Sequence, residues 1–117
     1  MANPPDCLFC KIIDRKIPSQ TVYETDKVLG FKDVNPQAPV HVLLVPKTHL
    51  EGVHEIGVEH SGFIEPLVMA ANQVAQDLGI GKSGYRLVIN CKKEAGQTVD
   101  HLHLHLLGGR RMNWPPG

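Results

Sequence analysis

The chain has no excess of charge of either sign, and this absence limits the partners it can have. Its 117 residues include twelve basic and twelve acidic side chains, so the formal net charge is zero at pH 7. No run of like charges occurs anywhere along it. Because duplex nucleic acid and anionic membranes attract proteins through clustered positive charge, a dominant interaction with either is not expected. A small nucleotide is still compatible with this balance.

Long apolar runs are also absent, and cysteines are few. No window approaches the roughly 20 apolar residues of a membrane-spanning helix. The opening residues, MANPPDCLFCK, contain no basic start followed by an apolar stretch. Three cysteines, an odd number, argue against a disulfide framework. We therefore expect a soluble, cytoplasmic protein in which paired cysteines serve metal binding or redox chemistry.

The sequence contains no repeat, linker or low-complexity segment, so we expect a single domain over 1–117. The predicted elements are a helix over 7–14 with Asp6 as N-cap, a hairpin of strands over 21–25 and 27–33, a strand over 40–45, a helix from N-cap Ser61 to Gly79, and strands over 85–90 and 101–107. This order predicts an α+β fold with an antiparallel sheet of about five strands and helices covering one face.

The most informative feature is the run His101-Leu102-His103-Leu104-His105-Leu106-Leu107. Successive side chains of a strand alternate between faces, so the three imidazoles would share one face and the leucines would pack beneath the long helix. Imidazole can act as nucleophile, acid–base group or metal ligand near neutral pH. A row of three predicts a reaction centre. The alternative is a half-exposed strand whose polar positions happen to be histidine.

This run resembles the His-φ-His-φ-His-φ-φ signature of the histidine triad (HIT) family, and other segments agree with the family pattern. They are FKDVNPQAPVH (31–41), VPKTH (45–49), GQTV (96–99) and the tail GGRRMNWPPG (108–117), which is similar to the ending of the Hint branch. The resemblance implies a HIT-like sheet extended across a homodimer. It also implies a hydrolase that cleaves purine nucleoside 5′-phosphoramidates, as an adenosine 5′-monophosphoramidase does.

Four residues receive catalytic roles from this resemblance. A histidine attacks through one ring nitrogen only when a hydrogen bond holds the proton on the other, and the middle position, His103, has neighbours on both sides. By resemblance His103 forms a nucleotidyl-histidine intermediate, which water hydrolyses to the nucleoside monophosphate. His105 would donate to the phosphate oxygens and His41 would orient the triad, unless it merely caps a buried strand. Thr98 replaces the serine usual in the Hint branch: its hydroxyl is retained, and its methyl could narrow the leaving-group site.

Nucleotide contacts are implied for a further set of residues. Asp33 would accept the ribose hydroxyls, although it could equally be a turn acid before Asn35. The remaining implied contacts, beside Thr98, His103 and His105, are the base walls Phe9, Phe31 and Val34 and the polar residues Asn90 and Gln97. Taken alone, the three apolar residues would be assigned to the core.

Cys7 and Cys10 have the C-x-x-C spacing with which two thiolates bind one zinc ion. By resemblance to zinc-containing HIT proteins, His49 and His101 complete a closed Cys2His2 site, with one structural zinc per chain. Such a zinc would clamp the N-terminal helix to the strand that carries His103. A redox pair, or two ordinary helix cysteines, are the alternatives.

Three other functions remain open at this stage. A dinucleoside polyphosphate hydrolase or phosphorylase would use the same nucleophile with a nucleotide leaving group. A nucleotide-binding regulator would have only incidental slow catalysis, and a zinc module would have none. The intact triad, with His41 and the Thr98 hydroxyl, favours an enzyme because zinc binding requires only His101 of the three.

Overall fold

The computed structural model describes residues 4–117, which form a five-stranded antiparallel sheet with a helix on each side. The elements are α1 (Leu8–Ile13), β1 (Thr21–Glu24), β2 (Val28–Lys32), β3 (Val40–Pro46), α2 (Ile64–Asp77), β4 (Tyr85–Val88) and β5 (Leu104–Gly108). The strand order is β1-β2-β3-β5-β4. The predicted α+β fold and its antiparallel sheet are therefore confirmed. None of the helices within 4–117 is long and apolar enough to cross a membrane.

The central strand β3 is buried on both faces. Val42 and Leu44 belong to the core beneath α2, whereas Leu43 and Val45 belong to a second core beneath α1. Alternate strand residues point to opposite faces, so a continuous apolar run needs a cover on each side. The expectation that both helices cover one face is therefore wrong: α1 and α2 lie on opposite faces.

Helix α2 packs on the sheet through a face of mostly small residues. Its buried residues are Leu67, Ala70, Ala71, Val74 and Ala75. The leucines of the histidine run, Leu102, Leu104 and Leu106, lie in the same core, as the alternation predicted. Because these leucines are almost completely buried, they fix the height and rotation of the histidine segment.

Both predicted N-caps are wrong, for a local reason in each case. Helix α1 begins one residue later than expected, and the Cys7 thiol, not Asp6, accepts the Cys10 backbone N–H at 3.4 Å. At α2 the cap position is Phe63 and makes no side-chain bond. Ser61 instead follows the 3-10 turn Val58–His60 and lies two residues before the cap position, so α2 begins later than predicted.

The histidine strand is shorter than predicted. Strand β5 begins at Leu104, opposite Leu44 of β3, so His101 and His103 precede the ladder. The Leu102 N–H donates instead to the Leu50 carbonyl at 2.7 Å, which holds this segment against the loop after β3. The alternation of side chains nevertheless continues through it, because His101 and His103 both contact Phe9 of α1.

Candidate active site and metal centre

The His103 ring is held in one tautomer by the backbone. Its Nδ1 lies 2.7 Å from the His101 carbonyl oxygen. A carbonyl can only accept, so Nδ1 carries the proton and Nε2 keeps its lone pair. Burial lowers the pKa of His103, against the opposing effect of that hydrogen bond. The ring is therefore neutral near pH 7, which is the form that can attack an electrophile.

A second chain of hydrogen bonds fixes His41 and His105. The Gln37 backbone N–H donates to His41 Nδ1 at 3.0 Å, so the proton of a neutral His41 must sit on Nε2. That Nε2 lies 2.9 Å from His105 Nδ1 and 3.3 Å from Asp33 Oδ2. When His41 donates to His105, the His105 Nε2 carries a proton. Burial, with the neighbouring His103 and His41, lowers the pKa of His105 to about 4.

Asp33, His103 and His105 border a cavity of about 820 Å³ between α1 and the sheet, which His41 does not line. Small-molecule sites usually measure about 300–1,000 Å³. Seven of the nine residues predicted to contact a nucleotide line it: Phe9, Phe31, Asp33, Val34, Thr98, His103 and His105. The sequence reasoning missed further apolar walls from α1 and the segment after it, namely Leu8, Ile12 and Ile17. The only sequence signal for these three residues was their apolar character within or just after a short predicted helix.

Gln97 and Asn90 do not line this cavity. The Gln97 amide is engaged with the backbone: it accepts the Lys92 N–H at 2.8 Å and donates to the carbonyls of Glu51 at 2.7 Å and Val99 at 3.1 Å. These bonds shape the loop that presents Thr98. No sequence signal pointed to this arrangement, because the partners are backbone atoms, one of them 46 residues away at Glu51.

Asp33 makes the turn that was considered as its alternative role and also faces the cavity. Its Oδ1 accepts the Asn35 N–H at 2.9 Å, while Oδ2 approaches His41 Nε2 at 3.3 Å. A carboxylate has about four acceptor positions, so these contacts leave capacity for hydroxyl donors in the cavity. The two assignments of Asp33 are therefore compatible.

Cys7, Cys10, His49 and His101 form a second cluster, whose ligand atoms all lie within 4.8 Å of one another. The His49 and His101 Nδ1 atoms are 3.1 Å apart, and Cys10 Sγ lies 3.3 Å from His49 Nδ1 and 3.5 Å from His101 Nδ1. Around a tetrahedral zinc ion, with bonds of about 2.0–2.3 Å, ligand atoms are separated by about 3.3–3.8 Å. The cluster therefore matches one zinc ion.

The surroundings of this cluster also suit a cation. His101 Nε2 lies 2.8 Å from the Pro46 carbonyl, so Nε2 carries the proton and Nδ1 presents its lone pair to the cysteines. Burial and the adjacent Cys7 raise the pKa of Cys10 to about 12. A thiolate forms here only with a compensating positive charge, which a metal ion provides.

The two other histidines, His54 and His60, have ordinary contacts. The exposed His54 lies 3.4 Å from Cys91 through Nδ1, and His60 Nδ1 lies 3.0 Å from the Glu55 carbonyl. Neither histidine lines the large cavity or belongs to the four-ligand cluster.

An antiparallel five-stranded sheet that carries a histidine row beside a cavity is the arrangement of a histidine triad protein. The sequence profile of the HIT domain matches residues 14–112, and the chain belongs to this family.

Three similar proteins extend this assignment. The 14 kDa zinc-binding protein of Brassica juncea is 47% identical over 114 residues, covering 96% of this chain and 100% of that protein. Adenylylsulfatase HINT1 of Arabidopsis thaliana is 46% identical over 120 residues, covering 99% and 81%. A HIT family hydrolase from Clostridium thermocellum has a TM-score of 0.93 at 51% identity, covering 95% and 96%. Together they support a HIT family hydrolase, and the predicted cofactor, one zinc ion, is confirmed by the relative and by the four-residue cluster.

Proposed function

We propose that this protein hydrolyses the P–N bond of purine nucleoside 5′-phosphoramidates through a covalent intermediate on His103. One observation carries the proposal. The His101 carbonyl, 2.7 Å from His103 Nδ1, leaves the Nε2 lone pair of a neutral imidazole at the wall of a cavity large enough for a nucleotide. A nucleophile held in one tautomer and one orientation meets the two requirements of in-line attack on phosphorus.

In the first step His103 Nε2 attacks the α-phosphorus. The new N–P bond forms as the bond from phosphorus to the substrate nitrogen breaks, and the departing nitrogen takes a proton from solvent so that it leaves as the neutral amine. The Nε2–H of His105 stabilises charge on the phosphoryl oxygens, since His41 holds the proton of His105 away from Nδ1. The Thr98 hydroxyl and the backbone N–H groups of Thr98 and Val99 supply further donors to the phosphate or the leaving nitrogen, whereas the Gly96 and Gln97 N–H groups already donate to the Lys93 and Lys92 carbonyls.

In the second step water attacks the phosphorus of the nucleotidyl-histidine. The N–P bond to His103 breaks, the attacking water releases a proton to solvent that replaces the one taken up by the amine, the nucleoside monophosphate leaves, and the neutral ring keeps its proton on Nδ1. Two such displacements divide one difficult reaction into two easier ones, as covalent catalysis does generally.

The nucleotide would be recognised by residues that line the same cavity. Phe9, Phe31 and Val34 provide apolar walls for the base, and Asp33 provides acceptors for the ribose hydroxyls. For Gln97 we propose an indirect role, because its amide is bonded to the loop that carries Thr98. Asn90 does not line the cavity, so its proposed contact near the phosphate and ribose rests on the family resemblance alone.

Zinc has a supporting role in this proposal. Four protein ligands leave no open position for substrate, so the ion supplies cross-linking of α1 to the segment of His101 rather than Lewis-acid chemistry. Cys7, Cys10 and Cys91 form no disulfide, which suits the reducing cytoplasm, the location we propose.

The proposal includes a homodimer that shares its sheet. Strand β1 is irregular between Thr21 and Tyr23, whereas the other edge strand, β4, has an uninterrupted register. A regular edge favours strand pairing and a bulged edge opposes it. We therefore place the dimer contact at β4. Light scattering should give twice the mass of the 12.9 kDa chain.

A second candidate substrate is adenylyl sulfate. The Arabidopsis relative is named an adenylylsulfatase, and it is 46% identical over nearly this whole chain. The chemistry at His103 would be unchanged, and sulfate would replace the amine as leaving group.

A substrate panel tests the proposal. Adenosine 5′-phosphoramidate, adenylyl sulfate and a dinucleoside polyphosphate would be compared by kcat/KM, with His54→Ala as a control for general effects of histidine removal. We expect the phosphoramidate to have the highest value. A higher value for adenylyl sulfate would replace the phosphoramidate assignment with the second candidate, and a higher value for the dinucleotide would overturn both.

A further inference from the structure

The metal cluster and the cavity are joined by one aromatic side chain, Phe9. We propose that Phe9 is a positioning residue for His103, and that the four-ligand centre sets its position. This inference rests on the proposed nucleophilic role of His103. It assigns Phe9 a task beyond that of a wall for the base.

Phe9 lies between two ligands of the metal centre. It follows Cys7 by two residues and directly precedes Cys10, and its side chain is only 4% exposed. Helix α1 contains six residues, too few to be stable through its own hydrogen bonds. The position of Phe9 therefore depends on tertiary contacts of α1, of which the two cysteine ligands are the most rigid when a metal cross-links them.

The Phe9 ring meets His103 edge to face. Their centroids are 5.1 Å apart with an interplanar angle of 86°, and a second contact reaches His101 at 6.0 Å. Perpendicular packing of two rings opposes rotation of either one in a close-packed core. The hydrogen bond from Nδ1 to the His101 carbonyl constrains the same ring from another side. Together these two contacts determine where Nε2 points.

Both contacts on the His103 ring depend on residues of the metal cluster. His101 supplies Nδ1 to the ligand set and its carbonyl to His103, while Cys7 and Cys10 flank Phe9. Release of the metal would loosen α1 and the His101 segment together. The His103 ring would then sample other orientations, while the ribose contacts at Asp33, which follows β2 and belongs neither to α1 nor to the His101 segment, would be retained.

Phe31 offers a matched control for this idea. It lines the same cavity, contacts Phe9 at 5.5 Å between centroids, and is also 4% exposed. Unlike Phe9, it makes no ring contact with His103 among the described residues. Leucine at either position removes an aromatic wall, but only Phe9→Leu removes the contact with the nucleophile.

The test compares Phe9→Leu with Phe31→Leu in the full chain with zinc bound. We expect the rate of His103 modification at saturating phosphoramidate to fall about tenfold for Phe9→Leu and about twofold for Phe31→Leu, since small misplacements of a reacting group are costly. The Kd for nucleoside monophosphate should change equally in both. Equal losses of rate would overturn the proposal and leave Phe9 as a cavity wall.

A second arm avoids substitutions. Zinc would be removed from the wild-type protein with a chelator, and the ring 15N signals of His103 followed by NMR while circular dichroism checks the fold. We expect His103, which carries its proton only on Nδ1 while zinc is bound, to become a mixture of the Nδ1–H and Nε2–H tautomers when zinc is removed. The single Nδ1–H form should return when zinc is restored. An unchanged His103 signal in the folded, metal-free protein would refute the link. Because this arm needs no turnover, it remains informative if the phosphoramidate assignment fails.

Discussion

The two histidine clusters differ in the partner of one ring nitrogen. In the metal cluster, His101 Nε2 donates to the Pro46 carbonyl, so Nδ1 faces the cysteines with a lone pair. In the other cluster, His41 Nδ1 accepts the Gln37 N–H, so Nε2 faces His105 and Asp33 with a proton. A backbone acceptor makes one histidine a metal ligand, and a backbone donor makes the other a hydrogen-bond donor.

This comparison shows that donor types alone do not define a metal site. Asp33, His41 and His105 also bring three ligand atoms within 4.8 Å of one another. A cation there would have to displace the His41 Nε2 proton while Nδ1 still accepts the Gln37 N–H, which would require a doubly deprotonated ring. The second cluster is therefore suited to directing protons, and the first to holding zinc.

The largest effect that tests this division is on catalysis. We expect His103→Ala to lower kcat/KM by about a thousandfold or more, because no other imidazole presents a lone pair to the cavity. The measurement is steady-state hydrolysis of adenosine 5′-phosphoramidate, with His54→Ala as control. Substantial activity in His103→Ala would remove the distinction between the clusters.

The next effect concerns stability and metal content. Cys10→Ser should lose about one zinc per chain. It should also lower the free energy of unfolding by about 4 kcal/mol when free zinc stands a thousandfold above its Kd. Cys91→Ser, which changes a cysteine outside the cluster, should do neither. Metal analysis and urea unfolding provide the readouts, and an unchanged zinc content in Cys10→Ser would exclude the four-ligand assignment.

A smaller effect is expected for His41→Asn. The variant loses the Nε2–H that fixes the His105 tautomer, so the hydrolysis rate should fall about tenfold, the loss of one well-placed hydrogen bond. Zinc content should stay the same, because His41 is not part of the metal cluster. If His41→Asn released zinc, the two clusters would not be independent.

The smallest effect is the pH dependence of stability. The pKa of His105 is about 4 when folded, below its ordinary value of 6.5, so the unfolded chain binds more protons between these limits. The stabilisation is fully present above about pH 6.5 and is lost as pH falls towards 4, by about 1 kcal/mol after discounting for solvent screening. Urea unfolding of wild type and His105→Asn should show a flatter pH slope in the variant. Identical slopes would assign the dependence to other groups.

The repeating patterns of the sequence predicted much of this structure. The period-two histidine row correctly separated imidazoles from leucines, and the apolar spacing over 61–79 correctly located the long helix. Both patterns are encoded locally, by side-chain periodicity along a strand or a helix. The C-x-x-C spacing and the family resemblance then led to the four-ligand cluster. The roles assigned to the cavity residues, and the single domain over 1–117, stay predictions.

Features that depend on bonds between side chains and particular backbone atoms could not be predicted. The Gln37 N–H that sets the His41 tautomer and the Glu51 carbonyl that binds Gln97 carry no side-chain signature. The same is true of the Cys7 cap, where a thiol occupies the position that the sequence rules assign to Asp6. The opposite placement of α1 and α2 follows from burial of β3 on both faces, a tertiary property.

Acid-quenched mass spectrometry tests the central claim most directly. The zinc-loaded protein would be mixed with adenosine 5′-phosphoramidate, quenched during turnover, and digested to locate the modified residue. The account predicts a nucleotidyl group on His103, which disappears as substrate is exhausted and never forms on His101 or His105. Turnover with no modified protein at any time, or a nucleotidyl group on another residue, would contradict it.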